Sequence, residues 1–411
     1  MKNRIKQYLL AASMCVGLTA CSDFFEPIPG VQFGLDETFA SKQRTEEYLN
    51  NVYSYVREVT DAIHPNTYGG IFTEASLDGA NRWNKTYAEW TNGSFNSASA
   101  QASEYFSKYY QAIAKASTFI QNVDKCTEAA ASTRGKWKSE ARALRAYYYF
   151  ELLRLYGPIP LIGEDPIPLD ASLEELIKER NSVDECVNFI ATELQSAIDS
   201  GDLLQRAGKA NLGRMDVATC MALKAKLYLY WASPLFNGNT DFFNVKDCYG
   251  NQLVSQTYDE TKWAKAAAAA KDVIELAKAS GLYELYVVAP KATVLPSQRP
   301  PHNALYSDKN YPEGWADVDP LLSYKSNFDG TILGSKNPEL IFTRTRIGTG
   351  HINDWAYQST PKTLKGNNRL AVTQKQVDAY AMNDGRSITE AEATGDYVTQ
   401  GFTTQAYAVA N

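Results

Sequence analysis

At 411 residues, with 44% hydrophobic and 21% charged side chains, the chain can bury a sizeable core and has the composition of a globular protein. A formal net charge of −6 argues against nucleic acid or an anionic membrane surface as the main partner. The three histidines, His64, His302 and His351, leave little material for a zinc site or a Ser-His-Asp arrangement.

The chain opens with Lys2, Arg4 and Lys6, followed by an apolar run over 8–20 that is too short to span a bilayer. Residues 1–20 therefore read as a signal peptide. Leu18 stands where ordinary cleavage wants a small residue, and Leu18-Thr19-Ala20-Cys21 resembles the lipobox of bacterial lipoproteins. That resemblance implies that Cys21 is acylated and becomes the first mature residue, anchored by several acyl chains where one would not suffice. Residues 21–36, with Pro29-Gly30 as a turn, read as an extended tether.

From residue 37 the pattern is one of helix pairs separated by long loops. A helix over 45–59 places Leu49, Val52, Tyr53 and Val56 on one face, and a second over 105–123 places Tyr109, Ile113, Ala116 and Ile120. Next comes the most apolar helix, in which Trp137, Ala141, Leu144, Tyr148, Leu152 and Leu155 recur at steps of three or four. Ala143, Ala146, Phe150 and Leu153 widen its face, leaving Arg142, Arg145, Glu151 and Arg154 for solvent. Gly157, Pro158 and Pro160 end it. Ser182 to Glu185 has capping-box spacing and opens a helix whose face is Cys186, Phe189, Ile190, Leu194 and Ile198. A third pair covers 217–235, with Ala218, Ala222, Ala225, Leu229 and Ala232 on one face, and an alanine-rich 263–279 stopped by Gly281.

Ala143-Leu144-Arg145-Ala146 and Ala222-Leu223-Lys224-Ala225 correspond internally, as do Tyr149 and Tyr228. Small residues at fixed points on paired helices suit a stacked helix-pair solenoid of tetratricopeptide type, here with large insertions. The expected fold is mainly all-α, with long irregular loops and a few short strands, including one over 337–342.

Two insertions carry the candidate chemistry. In 81–93, Arg82, Trp83, Tyr87, Trp90 and Asn92 interleave rings with amides and cations. In 287–361 helical periodicity disappears, and Tyr311, Trp315 and Trp355 stand among Pro, Gly and Asn. A sugar ring has an apolar C–H face and a rim of hydroxyls, so its natural site is an aromatic platform edged by hydrogen-bonding side chains. Catalysis has less support. Glu74 with Asp78, or Asp317 with Asp319, could form carboxylate pairs, but such residues usually cap or meet solvent. No Walker loop, dinucleotide fingerprint or EF-hand loop occurs. No catalytic residue, metal or cofactor is expected. Cys126, Cys186, Cys220 and Cys248 are not at metal-ligand or redox spacing and are expected to form no structural disulfide.

Glu140-Ala141-Arg142 with Leu144-Arg145-Ala146, followed by aromatics and Tyr156-Gly157 with Ile159-Pro160-Leu161, resembles the SusD/RagB family of outer-membrane nutrient-binding lipoproteins. Asn337 with Glu339 and Ile341-Phe342, Val377 to Tyr380, and Asp384-Gly385-Arg386 extend the resemblance along most of the mature chain. It implies a cell-surface, outer-membrane, lipid-anchored protein that binds a glycan or other nutrient oligomer and serves a TonB-dependent SusC-like transporter. The two aromatic insertions would then meet on one solenoid face. The family ordinarily ends in a fourth helix pair that 37–411 does not present, so this domain is expected to lack its C-terminal pair as a fragment. A helical-repeat scaffold that recruits proteins without a small ligand is the alternative.

Cys21→Ala should release the protein from the membrane fraction. Unchanged membrane association of that variant would exclude the lipobox.

Overall fold

The computed structural model describes residues 34–56, 79–81, 89, 93–165, 167–168, 171–208, 211–290, 302–344, 357, 360–367, 370–382 and 386–395. The signal peptide and Cys21 lie outside them. The helices run α1 Leu35–Ala40, α2 Lys42–Tyr53, α3 Ala100–Asn122, α4 Ala131–Tyr156, α5 Leu173–Leu176, α6 Val183–Asp199, α7 Val217–Ala232, α8 Thr261–Ser280 and α9 Pro320–Ser326. Short α10 Gln374–Asp378 and α11 Ile388–Ala393 follow. The fold is a mainly helical stack in which α3 packs on α4, α4 on α6, α6 on α7 and α7 on α8. Leu35 and Asp36 are already helical, although the tether was expected to reach residue 36.

The core surrounds α4. Its apolar residues from Trp137 to Leu153 are buried, and its chain ends at Gly157, whose φ of 68° lies in the left-handed region. Three consecutive tyrosines reach three different neighbours, because successive helical side chains turn by about 100°. Tyr147 packs its ring 6.3 Å from Phe342, Tyr148 donates its hydroxyl to the Val52 carbonyl, and Tyr149 donates to the Ile162 carbonyl at 2.8 Å. One short run thus ties α4 to α2, to the segment behind it and to the irregular layer.

Two charges expected in solvent are instead buried: Arg145 is 0% and Glu151 3% exposed. The reason is pairing. Arg145 Nε donates to Glu193 at 2.7 Å and its Nη1 to Ser117 at 3.1 Å, while Arg142 reaches the other Glu193 oxygen at 3.0 Å. Glu151 accepts from Arg154 at 2.7 Å, and the Arg154 guanidinium lies over the rings of Phe150 and Tyr230. Glu140 takes hydrogen bonds from Tyr53 at 2.8 Å and Arg214 at 2.9 Å. Burial pushes the Glu140 carboxyl above its usual value, and Arg214 pulls it back.

The capping box at Ser182 is present, and Cys186, Ile190 and Leu194 of α6 are buried. The α7 face differs from expectation. Leu229 is 51% exposed, whereas Leu227 and Trp231 are buried. Trp231 sets that rotation, because its indole N–H donates to Asp184 and Lys262 lies 4.5 Å over its ring. Helix α8 ends where expected, at left-handed Gly281 with φ 59°.

The expected strand over 337–342 does not form. Asn337 folds its side chain back locally: its Oδ1 accepts the Glu339 N–H at 2.9 Å and its Nδ2 donates to Asn327 at 2.8 Å. That local bonding competes with extended pairing. Strand pairing occurs elsewhere, between β1 Gly79–Asn81 and β2 Leu370–Val372, antiparallel with Gly79 opposite Val372. It brings the base of the first insertion beside a segment nearly three hundred residues later. Cys126, Cys186 and Cys220 are buried free thiols and Cys248 is an exposed one.

Leu144 is 0% exposed, so Leu144→Ala should cost about 2–5 kcal/mol in chemical unfolding. Lys138 pairs with Asp124 at 2.6 Å, but both side chains are well exposed, so Lys138→Ala should cost no more than about 1 kcal/mol. Equal losses for the two variants would mean that α4 is oriented otherwise.

Candidate functional site

The irregular layer between α8 and residue 344 is pinned to the helices at several points. The Asp319 N–H donates to the Val288 carbonyl at 2.7 Å, and the Val288 N–H donates to Ser323 Oγ at 2.9 Å. Asp319 also caps α9, accepting from Leu322 N–H at 2.9 Å. At the layer's end Arg344 donates to the carbonyls of Ser54, at 3.2 Å, and of Val56, at the end of α2.

Within this layer residues 302–319 close on themselves. Asn303 accepts the Leu305 N–H on its side chain at 2.8 Å, a local turn typical of asparagine. The Trp315 N–H then donates to the Tyr306 carbonyl at 3.0 Å, and the Ala316 N–H to the Lys309 carbonyl at 2.8 Å. Across the loop the Tyr311 N–H donates to Asp317 Oδ1 at 2.8 Å. Gly314 allows this closure, since a Cβ there would lie 2.0 Å from the Tyr306 carbonyl oxygen and 2.6 Å from that of Lys309.

The closed loop presents rings. Tyr306 and Trp315 face each other with centroids 6.3 Å apart and planes inclined at 41°. Tyr306 is 49% and Tyr311 41% exposed, and Trp315 is half-buried. Beside them on the chain His302 Nε2 meets Asp308 Oδ2 at 3.1 Å, giving polar groups close to the rings. A second exposed pair, Tyr324 and Phe328, stands on and just after α9 with centroids 5.0 Å apart. Rings held rigidly at the surface lose little freedom on contacting a ligand, which suits the stacking of a planar or ring-shaped apolar face.

Of the residues anticipated from sequence, Tyr311 and Trp315 are brought onto this one loop. Arg82, Trp83, Tyr87, Trp90, Asn92 and Trp355 lie outside the described residues, as do Glu74 and Asp78. Tyr306 was not anticipated, although its place in the same Asn- and Pro-rich stretch was a usable signal. Asp317 and Asp319 each accept a backbone N–H on Oδ1, from Tyr311 and Leu322 respectively, so both act in closing a turn or capping a helix. Among the described residues no cluster of three metal-ligating side chains occurs. No helix of the described residues is long and apolar enough to cross a membrane. A groove of about 440 Å³ also opens between α3 and the 160–178 segment, but its walls, including Phe106, Ile113, Ile162 and Leu176, are apolar and match a hydroxyl-rich ligand poorly.

A stack of helix pairs carrying long, aromatic, self-closed insertions defines a class of helical scaffold whose variable chemistry lies in its loops. Residues 32–229 match the family model described as "Starch-binding associating with outer membrane", SusD-like_3. Over that stretch the chain is similar to the SusD/RagB family. A SusD-like protein of Bacteroides ovatus is 29% identical over 158 residues, which is 37% of this chain and 27% of that protein. The solved protein BT4246 is 28% identical with a TM-score of 0.52, covering 61% of this chain and 42% of its own. A SusD-like protein, BF3747, of Bacteroides fragilis NCTC 9343 shares the fold at 18% identity, with a TM-score of 0.57 and coverage of 87% and 57%. The chain therefore spans well under two thirds of each of these relatives.

Gly314→Ala should open the 302–319 loop and speed tryptic cleavage after Lys309 several-fold, leaving the main thermal transition within about 0.5 kcal/mol of wild type. An unchanged cleavage rate would show that the close approach at Gly314 does not hold the loop.

Proposed function

We propose that this protein is a lipid-anchored surface protein that captures a glycan or other nutrient oligomer for a TonB-dependent, SusC-like outer-membrane transporter. The pair of exposed Tyr306 and half-buried Trp315 on a self-closed loop carries this reading, because it offers a preformed stacking surface with His302 and Asp308 on the same loop. Similarity over residues 32–229 supports it, through a family model whose description names starch binding and the outer membrane. The sequence features at Cys21 are consistent with anchoring at a membrane, and the acidic composition is consistent with a neutral or non-nucleic ligand.

Tyr306, Tyr311 and Trp315 would stack on sugar faces. Trp83, Tyr87, Trp90 and Trp355 would contribute from the other insertions, with Arg82 and Asn92 hydrogen-bonding hydroxyls at the rim. The pairing of Gly79–Asn81 with Leu370–Val372 brings the start of the first insertion beside the segment that follows the second. An open platform excludes water poorly, so affinity should be modest, with Kd between about 1 mM and 1 μM.

The test is glycan-array binding followed by titration of the best oligosaccharide. Trp315→Ala and Trp83→Ala should each weaken binding by about 1–3 kcal/mol, the scale of losing one buried aromatic contact. Their melting temperatures should stay at the wild-type value. Silence across the array would favour the protein-recruiting scaffold instead. Lowered melting with untouched affinity would show that the rings pack the loops.

A further inference from the structure

A polar pocket of about 270 Å³ is built where the loop before α7 meets the segment 334–343. The two segments come together through Gly213. Its φ of 86° is left-handed, and a Cβ there would lie 2.9 Å from the Thr343 carbonyl oxygen. Only a residue without a side chain allows that approach. Leu212, Pro338 and Leu340 provide apolar wall, and Arg206, Ser335 and Lys336 provide the polar lining.

The charge in this pocket is one-sided. Among the described residues lining it, two are cations and none is a carboxylate. Arg206 is fixed by neutral groups: it donates to the Leu282 carbonyl and, at 3.3 Å, to the Asn337 carbonyl, and its guanidinium lies 4.3 Å over the Tyr283 ring. These contacts orient the guanidinium without cancelling its charge. The neighbouring carboxylate, Asp216, is 1% exposed and its oxygens are taken by the N–H groups of Ala207, at 2.6 Å, and Thr219, at 2.7 Å. Glu339, three residues beyond Lys336, accepts from Tyr286 N–H and Asn327 instead. The Lys336 backbone N–H donates to the Leu333 carbonyl at 2.8 Å, but the side chains of Lys336 and Ser335 have no hydrogen-bond or ion-pair partner among the described residues. Finally, a Cβ on Gly208, which lines the pocket, would meet no heavy atom within 4 Å.

Asp216 lies close enough to Arg206 for the two charges to attract, but it is enclosed behind the pocket, so in a protein of net charge −6 the pocket lining itself presents two cations and no carboxylate. A planar guanidinium, an ammonium and a hydroxyl lining one space are donors only or donor-capable, which favours an oxyanion, able to accept from all three, over a neutral hydroxyl cluster. We infer that this pocket binds the carboxylate or sulfate group of a small ligand, with Arg206, Lys336 and Ser335 as its donors. The volume lies just under the range of about 300–1,000 Å³ usual for ligand pockets, which suits one ring or a short acid. The oxyanion could belong to an acidic sugar or to a free organic acid. The inference does not rest on neutral-glycan binding at the aromatic loop.

The experiment is a ligand-observed NMR titration of the full chain with glucuronate, glucose, glucose 6-sulfate and acetate. Glucuronate and glucose 6-sulfate should bind at least tenfold more tightly than glucose. Acetate matching glucuronate would identify a free organic acid as the source, and acetate far weaker would identify an acidic sugar; either outcome supports the oxyanion site. Lys336→Gln should weaken glucuronate binding about five- to tenfold, the scale of one charge-assisted hydrogen bond, and Lys336→Arg should restore it. Gly208→Leu, whose Cβ meets no heavy atom within 4 Å, should block the pocket with the melting temperature unchanged. Equal affinity for glucose and glucuronate overturns the inference. So does glucuronate affinity that neither Lys336→Gln nor Gly208→Leu alters. Trp315→Ala should leave glucuronate binding intact, and Lys336→Gln should leave neutral oligosaccharide binding intact, so the two sites can fail separately.

Discussion

A helix buried on nearly every side cannot leave its charges in solvent, and the architecture follows from how α4 meets that constraint. Glu140, Arg145 and Glu151 are almost fully enclosed, and an isolated ion in such a place would cost several kcal/mol. Each is therefore matched by a residue on another element or one turn away. Glu140 meets Tyr53 of α2 and Arg214 before α7, and Arg145 meets Glu193 of α6 and Ser117 of α3. These partners specify which helices lie beside α4 and in what register. Apolar burial supplies most of the stabilisation, but it is non-directional and would tolerate many arrangements. Removing one partner would leave an uncompensated buried charge, which makes the neighbourhood of α4 the least tolerant part of the molecule.

The loops use the same scaffold differently. The irregular layer is held by hydrogen bonds to the ends of helices, at Val288, Ser323, Ser54 and Val56, with Phe342 packed on Tyr147. Its own interior is closed by backbone bonds around Gly314. A surface built this way can vary its exposed rings without disturbing the stack, because few of those rings contribute to the core. Tyr306, Tyr311, Tyr324 and Phe328 are all exposed, whereas most aromatics of α3 and α4, such as Tyr109, Phe119, Tyr148 and Phe150, are enclosed.

The basic pocket at Gly213 and the aromatic loop also differ in how they would recognise a ligand. Rings recognise shape and C–H faces with weak dependence on salt, whereas cations select charge and are screened by salt. The carbonyls of Leu282 and Asn337 orient Arg206 while leaving its charge available. Both surfaces lie on insertions or connections, and the helical stack fixes their positions.

The sequence by itself determined the helices, because a 3.6-residue apolar period and end signals such as Ser182, Gly157 and Gly281 are local properties. It also determined which aromatics stand in insertions, and it carried the resemblance that residues 32–229 bear out. Tertiary structure alone decided the fate of the charges on α4, since Arg145 looks like a solvent-facing residue until Glu193 arrives from α6. It decided the rotation of α7, where the contact of Trp231 with Asp184 and Lys262 leaves Leu229 outside. It withheld the strand over 337–342, where Asn337 bonds its own neighbours, and it paired Gly79–Asn81 with Leu370–Val372, a match no local pattern encodes. The physical reason is common to these cases. Periodicity reports the face a segment prefers to bury, whereas ion pairs, cation–π contacts and strand partners come from residues remote in sequence and exist only once the chain has folded.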